Sequence, residues 1–252
     1  GPLLTAHHTG NVGPADHGGE AHRLARACPN AHARVLETLA THAPEGYAVG
    51  MEATHHGPSD VGAPSMFVEV GSGPEAWADP AASRAVARAI LALRDVPPDR
   101  EPEGPSGVGD PAGVEVGATG ETTDEEAGAT GEPTDDAGAT GPRRHLVGFG
   151  GGHYAPRFER LVRETDWAVG HVAPDWGLEA LGDPATATGE RVIEQVFERS
   201  RARYALVDGD YPGIVETVED RGYAVVGETW VREASGVPLP LVEALEEALV
   251  SV

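Results

Sequence analysis

Short apolar runs alternate with amphipathic stretches along most of the chain, and their spacing predicts strands and helices in turn. Residues 3–6 read as a strand ending at His7. Beyond a Gly/Pro/His-rich loop over 8–19, residues 20–28 suit a helix that Pro29 stops. Asn30 is placed to cap a second helix through about Thr41, with Val35, Leu36 and Leu39 as its apolar stripe. Residues 47–53 predict a strand running into His55-His56, and 65–70 predict another that Gly71-Ser72-Gly73-Pro74 ends. A helix over 80–94 would turn Val86, Ile90, Leu91 and Leu93 inward.

The pattern stops at 97–142, where Gly-Ala-Thr-Gly recurs at 117–120, 128–131 and 138–141 between acidic spacers. A stretch so poor in large apolar side chains cannot bury enough surface to fold, so an acidic disordered insertion is expected there. Alternation then resumes, with strands over 145–149, 167–172, 204–208 and 223–227. Helices are expected over 155–164, 189–201, 211–221 and 239–250, and a loop over 173–189. This order predicts an α/β fold, a mostly parallel mixed sheet flanked by helices. Residues 1–96 and 143–252 are expected to be two parts of one catalytic domain sharing one sheet, because each carries some of the histidine motifs described below.

The 252 residues carry a net charge of −23, and all 18 basic residues are arginine. The insertion holds 12 acids and one Arg, so the remainder is still at −12. Such a charge opposes contact with nucleic acid at ordinary ionic strength. At about 1 M salt the Debye length shrinks to about 3 Å, and the composition fits a salt-adapted cytoplasm. Cys28 is the single cysteine, so an internal disulfide is excluded and a reducing compartment fits. The sequence has no apolar run near the roughly 20 residues of a membrane span. A motif seven residues from the first position leads us to expect a missing upstream segment.

Four histidine motifs lie at predicted strand ends: His7-His8-Thr9-Gly10-Asn11, Glu52-Ala53-Thr54-His55-His56-Gly57-Pro58, Gly150-Gly151-Gly152-His153-Tyr154-Ala155-Pro156 and Gly170-His171-Val172-Ala173-Pro174. Carboxyl ends of parallel strands share one edge, so these corners can converge on one pocket. On an extended chain Glu52, Thr54 and His56 share a face. Glu52 and His56 could then hold a metal jointly, or a carboxylate could orient an imidazole for proton transfer. The triple glycine allows close backbone approach, and amides entering the following helix could bind a phosphate or an oxyanion. It matches neither the dinucleotide fingerprint nor a P-loop. His7, Thr9 and Asn11 could supply one base or ligand and two hydrogen-bonding groups. His171 is as consistent with a structural role as with a ligand. His17, His22, His32, His42 and His145 read as surface or packing residues. Arg143, Arg144, Arg157, Arg160 and Arg163 gather near the triple glycine, as a polyanion contact or as a salt-bridged helix surface. No Gly-x-Ser-x-Gly elbow occurs, and Cys28 falls in a helical pattern, so water activated by a base or metal is favoured over a protein nucleophile.

Together, His-x-Thr-Gly-Asn, Glu-Ala-Thr-His-His-Gly-Pro and Gly-Gly-Gly-His-Tyr-Ala-Pro resemble the archaeal and plant type of D-aminoacyl-tRNA deacylase. The resemblance covers nearly all of the chain outside 97–142 and lacks the family's amino-terminal portion. It implies hydrolysis of the ester joining a D-amino acid to the tRNA 3′ end, zinc dependence, and a fold similar to peptidyl-tRNA hydrolase. On this basis we assign His7, His55, His56 and His153 to catalysis. Glu52, His55, His56 and His171 would hold zinc, while Thr9, Asn11, Thr54, Gly150, Gly151, Gly152 and Tyr154 would hold substrate. A cytoplasmic monomer acting on aminoacylated tRNA is expected. Another esterase, a peptidyl-tRNA hydrolase-like activity, or a non-catalytic tRNA-end or metal-binding protein are the alternatives.

Overall fold

A central strand, β1 (Leu3–His8), runs parallel to β4 (Ala48–Met51) on one side and antiparallel to β5 (Met66–Gly71) on the other. The computed structural model describes residues 1–99, 143–237 and 241. A two-stranded ribbon joins β2 (Gly10–Asn11) to β3 (Arg23–Leu24). The second flank of the insertion forms a parallel sheet from β6 (Arg144–Gly150), β7 (Trp167–Ala173), β8 (Tyr204–Asp208) and β9 (Ala224–Val225), in the order β7-β6-β8-β9.

The fold is therefore α/β and mostly parallel, but its strands form two main sheets where one was expected. They meet where β4 ends. The Glu52–Tyr154 bridge and the bonds Ala53 N–H to the His153 carbonyl (2.9 Å) and Thr54 N–H to the Val172 carbonyl (2.9 Å) consume the backbone groups there. With those groups spent on a loop and on β7, no continuous ladder can pass through. The junction nonetheless sets the carboxyl ends of β1, β4, β6 and β7 side by side, and one apolar core draws Leu4, Leu36 and Met51 together with Leu146, Phe158 and Trp167.

Helices are α1 (Pro29–His42), α2 (Pro74–Trp77), α3 (Pro80–Leu91), α4 (Pro156–Glu164), α5 (Asp175–Leu181), α6 (Ala187–Ser200), α7 (Pro212–Asp220) and α8 (Glu228–Ala234). Proline opens α1, α2, α3, α4 and α7. Its fixed φ suits the first turn, where its missing N–H costs nothing. Pro29 thus starts a helix and does not stop one. The helix expected over 20–28 is absent. That stretch runs extended because its amides find partners outside it: Leu24 on Gln195 Oε1, Ala25 on the Thr9 carbonyl and Ala27 on the Arg199 carbonyl. Asn30 lies within α1 and is no cap; its Oδ1 faces the Arg143 amide and the His145 ring.

The stripe Val35, Leu36 and Leu39 is buried as expected; Val86 and Leu93 pack partly against the core as expected, but Ala82, Ala85 and Ala89 are the residues α3 buries fully, and Ile90 and Leu91 are exposed. Small side chains let α3 approach α1 closely, which the larger residues would prevent. The short helix α5 occupies a stretch expected to be loop, α2 and α8 fall where no element was expected, and 97–142 and 239–250 fall almost wholly outside the described residues. Among the described residues no helix is long and apolar enough to cross a membrane.

Packing between β7 and α6 is tight at Gly170, where a Cβ would stand 2.3 Å from Ser200 Cβ and Oγ. Ser200 Oγ also accepts the His171 amide at 2.9 Å. Gly170→Ala is expected to cost about 1–3 kcal/mol through overpacking. Urea denaturation measures this; an unchanged midpoint would show that the contact relaxes freely.

Candidate active site

Strand alternation sends the adjacent residues His7 and His8 to opposite faces, and each joins a different histidine cluster. On one face the His7 ring lies 4.2 Å from His55 and 4.8 Å from His56, and His55 lies 4.5 Å from His153. On the other face, His8 lies 4.6 Å from His32 and 5.6 Å from His171, all three fully buried. Three of the four motifs thus supply one pocket, and the fourth supplies the interior.

Within the pocket, the backbone dictates which ring nitrogen is free. His7 Nδ1–H donates to the His8 carbonyl (3.0 Å), His55 Nδ1–H to the Ala53 carbonyl (2.8 Å) and His56 Nδ1–H to the Gly57 carbonyl (3.0 Å). A carbonyl can only accept, so Nδ1 carries the hydrogen in each case and Nε2 of the neutral ring presents a lone pair. Such outer hydrogen bonds are the usual way a protein fixes a metal-binding imidazole. Two carboxylates face these lone pairs. Glu52 Oε2 is 3.5 Å from His153 Nε2 and 3.9 Å from His55 Nε2. Glu69 Oε1 is 3.3 Å from His7 Nε2 and 3.8 Å from His56 Nε2.

Among the described residues, ligand-competent atoms fall into two overlapping groups, His7–His55–His56 and Glu52–His55–His153, each within 4.8 Å. His55 belongs to both. Burial pushes its pKa down to about 4, and the charges of His7, His153 and His56 add to the effect. Contact with His7 holds the Glu69 carboxyl below the usual range. Imidazole nitrogens beside two carboxylates form a donor set of nitrogen and oxygen that suits zinc.

Several expected assignments change. Glu52 does not share a face with His56: strand pairing stops at the Glu52–Tyr154 bridge, and the carboxylate lies by His55 and His153 instead. His171 is outside both ligand groups, because Thr54 Oγ1–H donates to its Nδ1 (3.0 Å) and its Nε2–H donates to the Ala25 carbonyl (2.9 Å). That bond also commits Thr54 to the interior. Thr9 pairs with Ser65 Oγ (2.6 Å), and Asn11 donates to the Gly18 and Glu20 carbonyls, so both hold the 8–20 loop. His32 and His145 are buried packing residues, whereas His17 is exposed.

Gly150 and Gly151 adopt φ of 92° and 82°, and a Cβ on Gly150 would lie 2.2 Å from the Asp208 carbonyl oxygen. Only glycine fits there. The three glycines precede the α4 cap, though, so they are not the amides entering that helix. Ala155 N–H is spent on the Met51 carbonyl and Pro156 has none to offer. Tyr154 is half exposed beside His153, their rings 5.0 Å apart.

The arginines near the triple glycine are bound to acids. Arg157 reaches Asp208 (3.1 Å) and Glu228 (3.0 Å), Arg160 reaches Glu228 (3.3 Å), Arg163 reaches Glu159 (3.1 Å) and Arg143 reaches Glu37. Arg144 binds the Ala234 carbonyl. Hydrogen bonds from Arg232 and Arg157 hold Glu228 down at about 2. The salt-bridged helix surface accounts for Arg157, Arg160 and Arg163, whereas Arg143 and the buried Arg144 lie at the start of β6. Burial pushes the Cys28 thiol up to about 12, which leaves it inert as a nucleophile.

Glu69 was not anticipated. Its strand register sets it opposite Thr5 and sets Phe67 opposite His7, a neighbourhood that exists only once β5 pairs with β1. The one local signal is an acid inside the apolar run Met66–Gly71.

The family model described as D-aminoacyl-tRNA deacylase matches residues 1–226. A D-aminoacyl-tRNA deacylase of Haloarcula marismortui is 52% identical over 249 residues, covering 98% of this chain and 47% of that protein. One from Halorubrum lacusprofundi is 52% identical over 252 residues, covering 100% and 45%, and one from Methanoculleus marisnigri is 35% identical over 236, covering 94% and 44%. The chain thus spans about half the length of these curated relatives. The crystal structure of a conserved protein of unknown function superimposes with a TM-score of 0.66 at 26% identity, covering 93% of this chain and 68% of that one.

Proposed function

The chain belongs to the D-aminoacyl-tRNA deacylase family, and from that premise we propose that its histidine pocket hydrolyses the ester of D-aminoacyl-tRNA. Water adds to the acyl carbon and the ester C–O bond breaks. The D-amino acid leaves as its carboxylate and the ribose oxygen of tRNA regains a proton. The observation that carries this reading is the convergence of His7, His55, His56 and His153 with Glu52 at one sheet junction.

In this reading His7, His55 and His56 would hold a zinc ion. Bound there, zinc supplies Lewis-acid polarisation of the ester carbonyl. Glu52 holds the His153 ring through Nε2 (3.5 Å), which leaves Nδ1 to take a proton from water. The Gly150, Gly151 and Gly152 amides and the Tyr154 ring serve the oxyanion or the terminal nucleotide, since unstacked bases commonly pack on aromatic side chains. The whole substrate is tRNA, a polyanion meeting a chain of net charge −23. Productive contact therefore needs the screening of concentrated salt, as in a salt-adapted cytoplasm. We take the active form to be a monomer.

Incubating the protein in about 2 M KCl with D-Tyr-tRNA and L-Tyr-tRNA tests the reading, because the Debye length falls to a few ångströms there. Preferential release of D-tyrosine, abolished by a chelator and restored by zinc, is expected. Equal loss of both esters would point to an unselective esterase, and binding without turnover to a non-catalytic protein.

A further inference from the structure

β5 brings to the pocket a carboxylate that none of the histidine motifs contains. Glu69 Oε1 stands 3.3 Å from His7 Nε2 and 3.8 Å from His56 Nε2, while Glu52 serves His55 and His153. The opposite side of each ring is already committed, His7 Nδ1–H to the His8 carbonyl and His56 Nδ1–H to the Gly57 carbonyl. The Nε2 atoms of both rings thus share Glu69 Oε1 as their near neighbour.

The two rings stand 4.8 Å apart, with His55 beside them at 4.2 and 4.5 Å. A divalent cation held there would be shared by two ring nitrogens and one carboxylate oxygen. Zinc accepts a carboxylate oxygen alongside imidazole nitrogens, so the donor types suit it.

We propose that Glu69 is a metal-holding residue, its carboxylate closing the His7–His56 side of the pocket around a zinc ion. This rests on the hydrolase reading given above and deepens it by naming the acidic partner of those two histidines. Glu69 is partly open to solvent, with 39% of its side chain exposed, so replacing it leaves the core undisturbed.

The test is a zinc titration of the whole chain in concentrated KCl, read by competition with a chromogenic chelator. Wild type, Glu69→Gln, Glu69→Asp and the exposed control Glu75→Gln are compared, with circular dichroism to confirm equal folding. Glu69→Gln is expected to weaken zinc binding about 10- to 100-fold, as loss of a supporting carboxylate does elsewhere. Glu69→Asp should fall between Gln and wild type, and Glu75→Gln should match wild type. Ring nitrogen shifts of His7 and His56 should move on zinc addition in wild type and fail to move together in Glu69→Gln. Wild-type affinity in Glu69→Gln, or rings that stay doubly protonated with zinc present, would overturn the proposal. Deacylation of D-Tyr-tRNA by the wild type is scored separately. Zinc binding that depends on Glu69 without turnover supports the proposal and sinks the hydrolase reading; turnover with zinc binding indifferent to Glu69 does the reverse.

Discussion

Replacing His55 by alanine is expected to slow D-tyrosyl-tRNA deacylation about 10²- to 10⁴-fold, the range for a positioned acid–base or ligand group. His55 is the one residue common to both ligand groups of the pocket. Its ring touches His7, His56 and His153 at 4.2, 4.5 and 4.5 Å, and its Nδ1–H is pinned by the Ala53 carbonyl. Removing it leaves each group with two members and lets water into the space between the carboxylates. The fold should survive, because the side chain is partly exposed and its single backbone bond is local. Single-turnover rates for wild type, His55→Ala and the exposed control His17→Ala decide the matter. A His55→Ala rate within a few-fold of wild type would remove the pocket from the chemistry.

Acid should unfold the protein through a different set of histidines. Burial first, and weaker charge effects after it, push His32 and His171 down to about 4, and His8 well below its ordinary value. The His32 and His171 rings stay neutral in the folded protein to about pH 4, whereas in the unfolded chain each takes a proton near pH 6.5. Between those values only the unfolded chain binds the proton, so lowering the pH favours unfolding and stability falls from about 6.5 down to about 4. A shift from 6.5 to about 4 corresponds to about 3 kcal/mol for each of His32 and His171 once the pH is below both values.

His32 isolates the effect. Neither of its ring nitrogens makes a hydrogen bond of normal geometry, the Ala6 backbone giving only a weak opposing pull. His32→Leu removes an unsatisfied buried polar group, so stability at pH 7 should hold or rise. The loss between pH 7 and pH 4.5 should shrink by about 2–3 kcal/mol, measured by urea unfolding in fixed KCl. An unchanged loss in the variant would show that other groups control acid unfolding.

Where local pattern suffices, sequence and structure agree. The apolar runs at β1, β6, β7 and β8 and the stripe of α1 stand where periodicity puts them, because a strand or helix that buries one face must repeat that face. Disagreement begins where a segment's partner lies far away. The apolar and basic spacing of 20–28 suits a helix, yet its amides are satisfied by Thr9, Gln195 and Arg199. Ile90 and Leu91 of α3 are turned inward by a hydropathy pattern, but close approach to α1 selects alanines.

The sequence by itself determined that histidines at strand ends would gather beside a glycine turn, since residue types, spacing and strand order are all local or topological facts. It could not decide which histidine faces which acid. That depends on the register of β5 against β1 and on where β4 stops pairing, both set by hydrogen bonds between residues remote in sequence. Tertiary structure alone therefore sent His8 and His171 into the interior, gave Glu52 to His153 and His55, and brought Glu69 to His7 and His56.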